Sequence, residues 1–556
     1  MRTYRTQITA RSPLVQPSAY RARVQKARAK SVSLPAPVGG WNARDSIADM
    51  PKDDAVELIN YFPDTTTVKL RFGYTAHSLS VSGQVETLMP WNAGAVERLF
   101  AATSNGFIYN TTSADDILTD ETGAYILTEG GDTLILENVN SVLQVSGLSN
   151  GRWQHVNFTT SGGNYICAVN GADAYRVYNG TAWAKDGDGA PYNITGVTSS
   201  TLIGINVFKN RLWFIEIGSL KAWYLPVNSI GGATASLDMS SLCSEGGYLM
   251  AMGTWTIDAG YGVDDYAVWI TSKGQVLVWR MTDPTDPNAI FLIGVWQIGA
   301  PIGRRCFQKW KGDLLLITQE GLVPLSKALQ SSRLDPRVSL TDKIQQAISA
   351  SITSYKSNFG WQIQSFPEQN MLLLNVPVQQ GNDQEQYVMN TITGAWGRFQ
   401  GWEANCWALY QDELYFGGNN MIGHAWDTNA DIQMAISGSI LQAFNYFGSP
   451  AQLKRFTMMR PTFYANGAPS IQANINVNFD QSAPSSNLNT VPIQGALWDS
   501  GVWDVGQWGA SLSLITAWQG ANGVGYCGAP RLASMTNGFE VQLVSTDIVL
   551  ETGEIL

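Results

Sequence analysis

Between residues 371 and 427 the chain repeats one grammar, a short apolar strand, a polar turn and a second apolar strand, with no helical period between them. Residues 371–377 and 386–390 read as buried strands. A turn carrying Gly394, Ala395 and Trp396 follows, then a hairpin of 406–410 and 413–416 across Gln411 and Asp412, then a short strand at 422–426. Four or five strands in about 55 residues form a unit that cannot cover both its faces alone, so it has to stack against others like itself.

The same grammar recurs upstream. Residues 99–109 contain a hairpin with Asn105-Gly106 in its turn, the pair that best supplies two positive backbone angles. Residues 207–215, 266–279 and 307–317 repeat the apolar, turn, apolar order, and a Gly closely followed by Trp returns at Gly151/Trp153, Gly180/Trp183 and Gly394/Trp396. The chain is therefore expected to be all-β, with a degenerate β-propeller of roughly six to eight blades over residues 85–430.

The flanks read differently. Residues 1–40 form a basic extended arm, 41–84 a lead-in with a short helix at 51–60 and a strand, and 431–556 a C-terminal β-sandwich-like domain. An amphipathic helix at 340–355, with Ile344, Ile348 and Ile352 on one face and Thr341 or Ser339 as N-cap, interrupts the blades. Trp498, Trp503 and Trp508 recur at a spacing of five that matches neither helix nor strand, so they belong to successive turns whose indoles form an aromatic contact loop.

Charge is unevenly placed. The net charge of −10 hides nine basic and no acidic residues before Asp45, which leaves 26 basic against 45 acidic residues, or −19, in the body. Arg2, Arg5, Arg11, Arg21, Arg23, Lys26, Arg28 and Lys30 are candidate partner-binding residues, suited either to phosphates or to an acidic groove of a neighbouring subunit, with the groove favoured. Only 14% of residues are charged, as expected of a subunit that buries surface in an assembly.

Chemical motifs are weak. Five scattered cysteines without a C-x-x-C pair exclude a zinc or disulfide framework, and His77, His155 and His424 are too dispersed for a metal cluster. Gly147-Leu-Ser149-Asn-Gly151 has the letters of a nucleophile elbow but not the strand-to-helix context it requires. Asp427/Asn429/Asp431 lacks the glycine and glutamate of a calcium loop, and Asp186/Asp188 and Asp264/Asp265 read as solvated turns. The expectation is a protein without catalytic residues, cofactor or metal, and without a membrane-spanning segment.

The order of these pieces resembles the tail hub, or nozzle, proteins of short-tailed bacteriophages, including packaged-DNA stabilisation proteins. The resemblance is carried by residues 60–63 and 71–74, the hairpin at 208–213, the helix at 340–355 leading into 369–377, and the blade ending at 423–427. It implies a homo-oligomer, a hexameric virion tail hub below the portal and adaptor ring. Such a hub retains packaged double-stranded DNA, lets it leave without sequence specificity, and carries tail fibres or spikes. An alternative reading is a carbohydrate- or receptor-binding propeller module using Trp498, Trp503 and Trp508. A propeller glycosidase is the third reading and would need a pair of carboxylates in a cleft.

Overall fold

The computed structural model describes residues 29–115, 141–258, 263–329, 339–488 and 512–555, with Leu118, Ile126 and Leu134 between the first two stretches. Seven groups of antiparallel strands follow one another around an axis. The first comprises Val85–Asn92, Glu97–Thr103, Ile108–Asn110 and Val142–Val145. The second runs from Gln154–Thr160 to Trp183–Lys185, the third from Leu202–Phe208 to Ala235–Asp238, and the fourth from Leu249–Asp258 to Ile290–Gln297. The three-stranded fifth runs from Phe307–Trp310 to Gly321–Pro324, and the sixth from Gln362–Phe366 to Trp396–Gln400. The seventh joins Cys406–Tyr410, Glu413–Gly417 and Ile422–Ala425 to Tyr74–Ser78, a strand from before the first blade.

The first strand of each group lies beside the first strand of the next, and the seventh returns to the first. This is a closed β-propeller, as the repeated grammar predicts. Six blades are separate sheets, and the sixth sector belongs to a larger sheet shared with the rest of the chain. Ring closure is antiparallel, with His424 opposite Thr75 and Gly423 opposite Ala76. Central strands such as Met371–Gln379 are buried along most of their length, since neighbouring blades cover both faces, and so their sequence is apolar rather than alternating. Aromatic pairs bridge the blades: Trp91 meets Tyr178 edge-on at 5.4 Å and Trp213 meets Trp269 at 5.4 Å.

Outside the ring, two sheets pack face to face. One contains Lys30–Pro35, Tyr61–Pro63, Val68–Leu70, Gln452–Ala465, Ser513–Thr516, Gln519–Gly525 and Val541–Ile555. The other places Asp54–Ile59, Ile436–Gln442, Gly528–Thr536 and Ser470–Val477 beside the sixth propeller sector, Ile59 pairing with Arg398. Phe456, Phe463, Leu543 and Ile548 of the first sheet share a core with Ile440, Ile471, Ile475 and Leu532 of the second. The sandwich is thus built from both ends of the chain.

Two local expectations are corrected. The helix expected at 51–60 is the strand Asp54–Ile59, held between Trp396–Gln400 and Ile436–Gln442. Asp54, within that stretch, accepts from Lys343 Nζ at 2.5 Å and Asn42 Nδ2 at 2.7 Å, so sheet pairing overrides the local helix signal. The inserted helix exists, as Gln345–Tyr355 preceded by a tight turn at Asp342–Ile344, and buries Ile344, Ile348 and Ile352. Neither Thr341 nor Ser339 caps it. Thr341 Oγ1 accepts from Leu322 N and Ser339 Oγ donates to Leu322 O, pinning the segment to the outer strand of the fifth blade. No helix among the described residues is long and apolar enough to cross a membrane.

Candidate functional site

The strongest candidate is the cavity on the propeller axis. Inner strands of neighbouring blades splay apart, so polar side chains tie them together. Asn157 Nδ2 donates to Pro90 O at 3.0 Å, Asn206 Nδ2 to Met252 O at 2.7 Å, and Gln362 Nε2 to Trp407 O at 2.8 Å. The last two of these ties border a space of about 280 Å³ lined by the first strands of all seven sectors. It has room for about nine waters.

Its charge is set by Gly303-Arg304-Arg305, just before the first strand of the fifth blade. Arg305 reaches across to the first two blades. Its Nη2 donates to Thr87 Oγ1 at 2.6 Å, Glu86 O at 2.9 Å and Trp153 O at 3.3 Å, while Nη1 lies 3.5 Å from Gln362 Oε1. Thr87 Oγ1 also accepts from Trp153 N and donates to Gly151 O, fixing it as an acceptor for the guanidinium. Arg304 Nη1 donates to Asn170 O at 3.3 Å.

The carboxylate of Glu86 is buried but committed elsewhere, accepting from Gly151 N at 3.0 Å and Arg152 Nε at 2.9 Å. Phe359 lies between two cations, 4.5 Å from Arg152 and 5.2 Å from Arg305. Burial pulls the Arg305 and Arg304 pKa values down from the usual guanidinium range, with the Arg152 charge acting in the same direction. Burial, helped by Arg305, holds the His155 imidazole down at about 4, so it is neutral near pH 7. Both side chains are packed round by protein yet keep partial accessibility, because the cavity wets them. Among the described residues, no Asp or Glu lines the cavity.

The residues singled out from sequence are not at this site. Arg2, Arg5, Arg11, Arg21, Arg23, Lys26 and Arg28 lie outside the described residues, as do Trp498, Trp503 and Trp508. Lys30 is exposed at the start of Lys30–Pro35, opposite Leu550. Ser149 Oγ donates to Asp173 Oδ1 at 2.9 Å, as in a turn. Asp431 is held by Arg71, Asp186 accepts from Ser199 Oγ, and Asp265 pairs with Lys209 at 2.7 Å, so these carboxylates are engaged within the chain. His77 Nε2 meets Thr111 O at 2.7 Å, and His424 stacks on Tyr415. Among the described residues no group of His, Cys, Asp and Glu is placed to hold a metal ion. Sequence reading passed over Arg304 and Arg305. Their signal is two adjacent cations directly before an inner strand in a chain with few charges.

No family model matches this sequence, and no curated protein matches it. Solved structures similar to it include a β-propeller domain. BBS1N, solved in complex with ARL6DN, is 10% identical, with 64% of this chain and 97% of that chain covered and a TM-score of 0.35. YCF48 bound to a D1 peptide is 8% identical, with 64% and 97% covered and a TM-score of 0.34. The β-propeller domain of Cps50 (Swd1) from Myceliophteria thermophila is 10% identical, with 61% and 96% covered and a TM-score of 0.35. At such identities no ligand or partner of those proteins transfers to this chain.

Proposed function

We propose that this chain is a non-enzymatic structural subunit of a virion, the hexameric tail hub or nozzle of a short-tailed bacteriophage. It would sit below the portal and adaptor ring, carry fibres or spikes, and retain packaged DNA until ejection. The family half of this reading rests on the order of sequence pieces described above. The subunit half rests on one observation. Ile290–Gln297, the outer strand of the fourth blade, has Phe291 at 53%, Ile293 at 49%, and Leu292 and Val295 also exposed. Among the described residues its outer edge pairs with no further strand. A long apolar edge of this kind favours burial against another chain.

The axial cavity is far too small for a duplex, so a DNA conduit has to be formed between copies rather than through one propeller. Native mass measurement of the full chain, alone and mixed with portal and adaptor rings, tests the reading. It predicts a six-fold ring or ring-dependent incorporation, both lost in Ile293→Lys. A monomer that binds neither ring removes it.

A further inference from the structure

We propose that the axial cavity binds a small molecule carrying an oxyanion, a phosphate or carboxylate group drawn in by the charges of Arg304 and Arg305. The assignment is independent of the tail-hub reading, because it rests on the interior of a single propeller.

Arg304 and Arg305, neighbours in sequence, both line the half-open axial cavity in a chain of net charge −10, and no carboxylate is among its described lining residues. Neither forms an ion pair among the described residues, whereas Arg44, Arg71, Arg152, Arg211, Arg398, Arg460 and Arg531 all do. Glu86 influences Arg305 from beyond ion-pair distance, and its oxygens are already taken by Gly151 and Arg152. Lys309, the third cation of the lining, shares the field of Asp265.

Uncompensated charge away from bulk water is unfavourable, and the Arg152 charge adds repulsion at both groups. Arg305 satisfies several donors with carbonyl and hydroxyl dipoles, which hold the group in place but carry no net negative charge. A bound oxyanion supplies the missing charge and accepts from the remaining N–H groups in the planar, forked geometry that guanidinium offers. Apolar lining from Met250, Met252, Phe307 and Trp407 leaves space beside the anion for a small carbon body.

The test uses the intact chain and two probes, inorganic phosphate and acetate, titrated calorimetrically against chloride at matched ionic strength. Saturable binding of either probe beyond chloride is expected, with the tighter one identifying the group as phosphoryl or carboxyl. Arg304→Met should weaken it by about tenfold or more, the loss of one charge-assisted contact. Lys221→Met, on an exposed outer strand of the third blade, should leave it unchanged. Arg305→Met removes ties between blades and is read only if it folds, so Arg304→Met carries the test. No response above chloride, or equal binding by wild type and Arg304→Met, would overturn the assignment.

Discussion

Arg71 grips Asp431 with both ends of its guanidinium, Nη1 to Oδ1 at 2.8 Å and Nη2 to Oδ2 at 2.5 Å, across 360 positions of sequence. Arg71 stands just before the strand that closes the ring and Asp431 just after the last blade, so the pair clasps the chain where it enters and leaves the propeller. The guanidinium also donates to Asn60 Oδ1, Phe72 O and Gln400 O, and stacks 4.9 Å from Trp402. With Arg71 1% and Asp431 15% exposed, breaking the pair strands a buried charge. Arg71→Met is expected to lose about 3–5 kcal/mol, seen as a lower urea midpoint. Loss below about 1 kcal/mol would show that the clasp does not hold the ring.

His155 should make stability depend on pH. Its folded pKa of about 4 lies below the ordinary value of about 6.5, so between these values the unfolded chain takes up a proton that the folded chain refuses. This contribution is therefore intact above about pH 6.5, declines as pH falls, and levels off below about 4, a loss on the order of 3 kcal/mol. Burial lowers His77 in the same direction, so the diagnostic is a difference. Urea midpoints at pH 7 and pH 4.5 should converge more closely in His155→Gln than in wild type.

Gly106 has φ +78, and a Cβ there would lie 2.0 Å from Leu148 O. Leu148 N donates to Gly106 O at 3.1 Å, so this turn also anchors the segment that leads to the second blade. Gly106→Ala is expected to cost about 1–3 kcal/mol by strain and displacement of that backbone. Thermal unfolding of the purified variant measures it, and an unchanged midpoint would refute the close approach.

All five cysteines are buried and unpaired. Burial pushes Cys167 and Cys306 up to about 12 and Cys406 to about 11, and raises Cys243 and Cys527 as well. With almost no thiolate at pH 8, the native protein should react negligibly with an aromatic disulfide reagent over minutes. In denaturant all five should react. Fast native labelling of even one thiol would contradict its burial.

What could be read beforehand divides along lines of range. The hairpin at Asn105-Gly106 and the buried run before Val376 were legible, since turn chemistry and two-sided burial leave local marks. The face of Ile344, Ile348 and Ile352 was legible for the same reason. The stretch at 51–60 was misread as a helix because the partners that hold it as a strand, such as Lys343 and Asn42 at Asp54, are chosen by the fold and leave no local mark. The cavity was invisible in sequence because its lining is gathered from one or two residues of each sector, with no motif spacing to connect Thr87, Asn206, Arg305 and Trp407.

By itself, then, the amino-acid order determined that strands would be short, turn-punctuated and stacked as blades, because strand period and turn residues act over a few positions. Only the tertiary structure decided that the chain's two ends would share a sandwich, that a strand from before the first blade would close the last, and that Arg304 and Arg305 would line one cavity with no carboxylate among its described residues. Those outcomes depend on pairing and electrostatics between segments hundreds of residues apart, where ring closure rather than neighbouring sequence selects the partners.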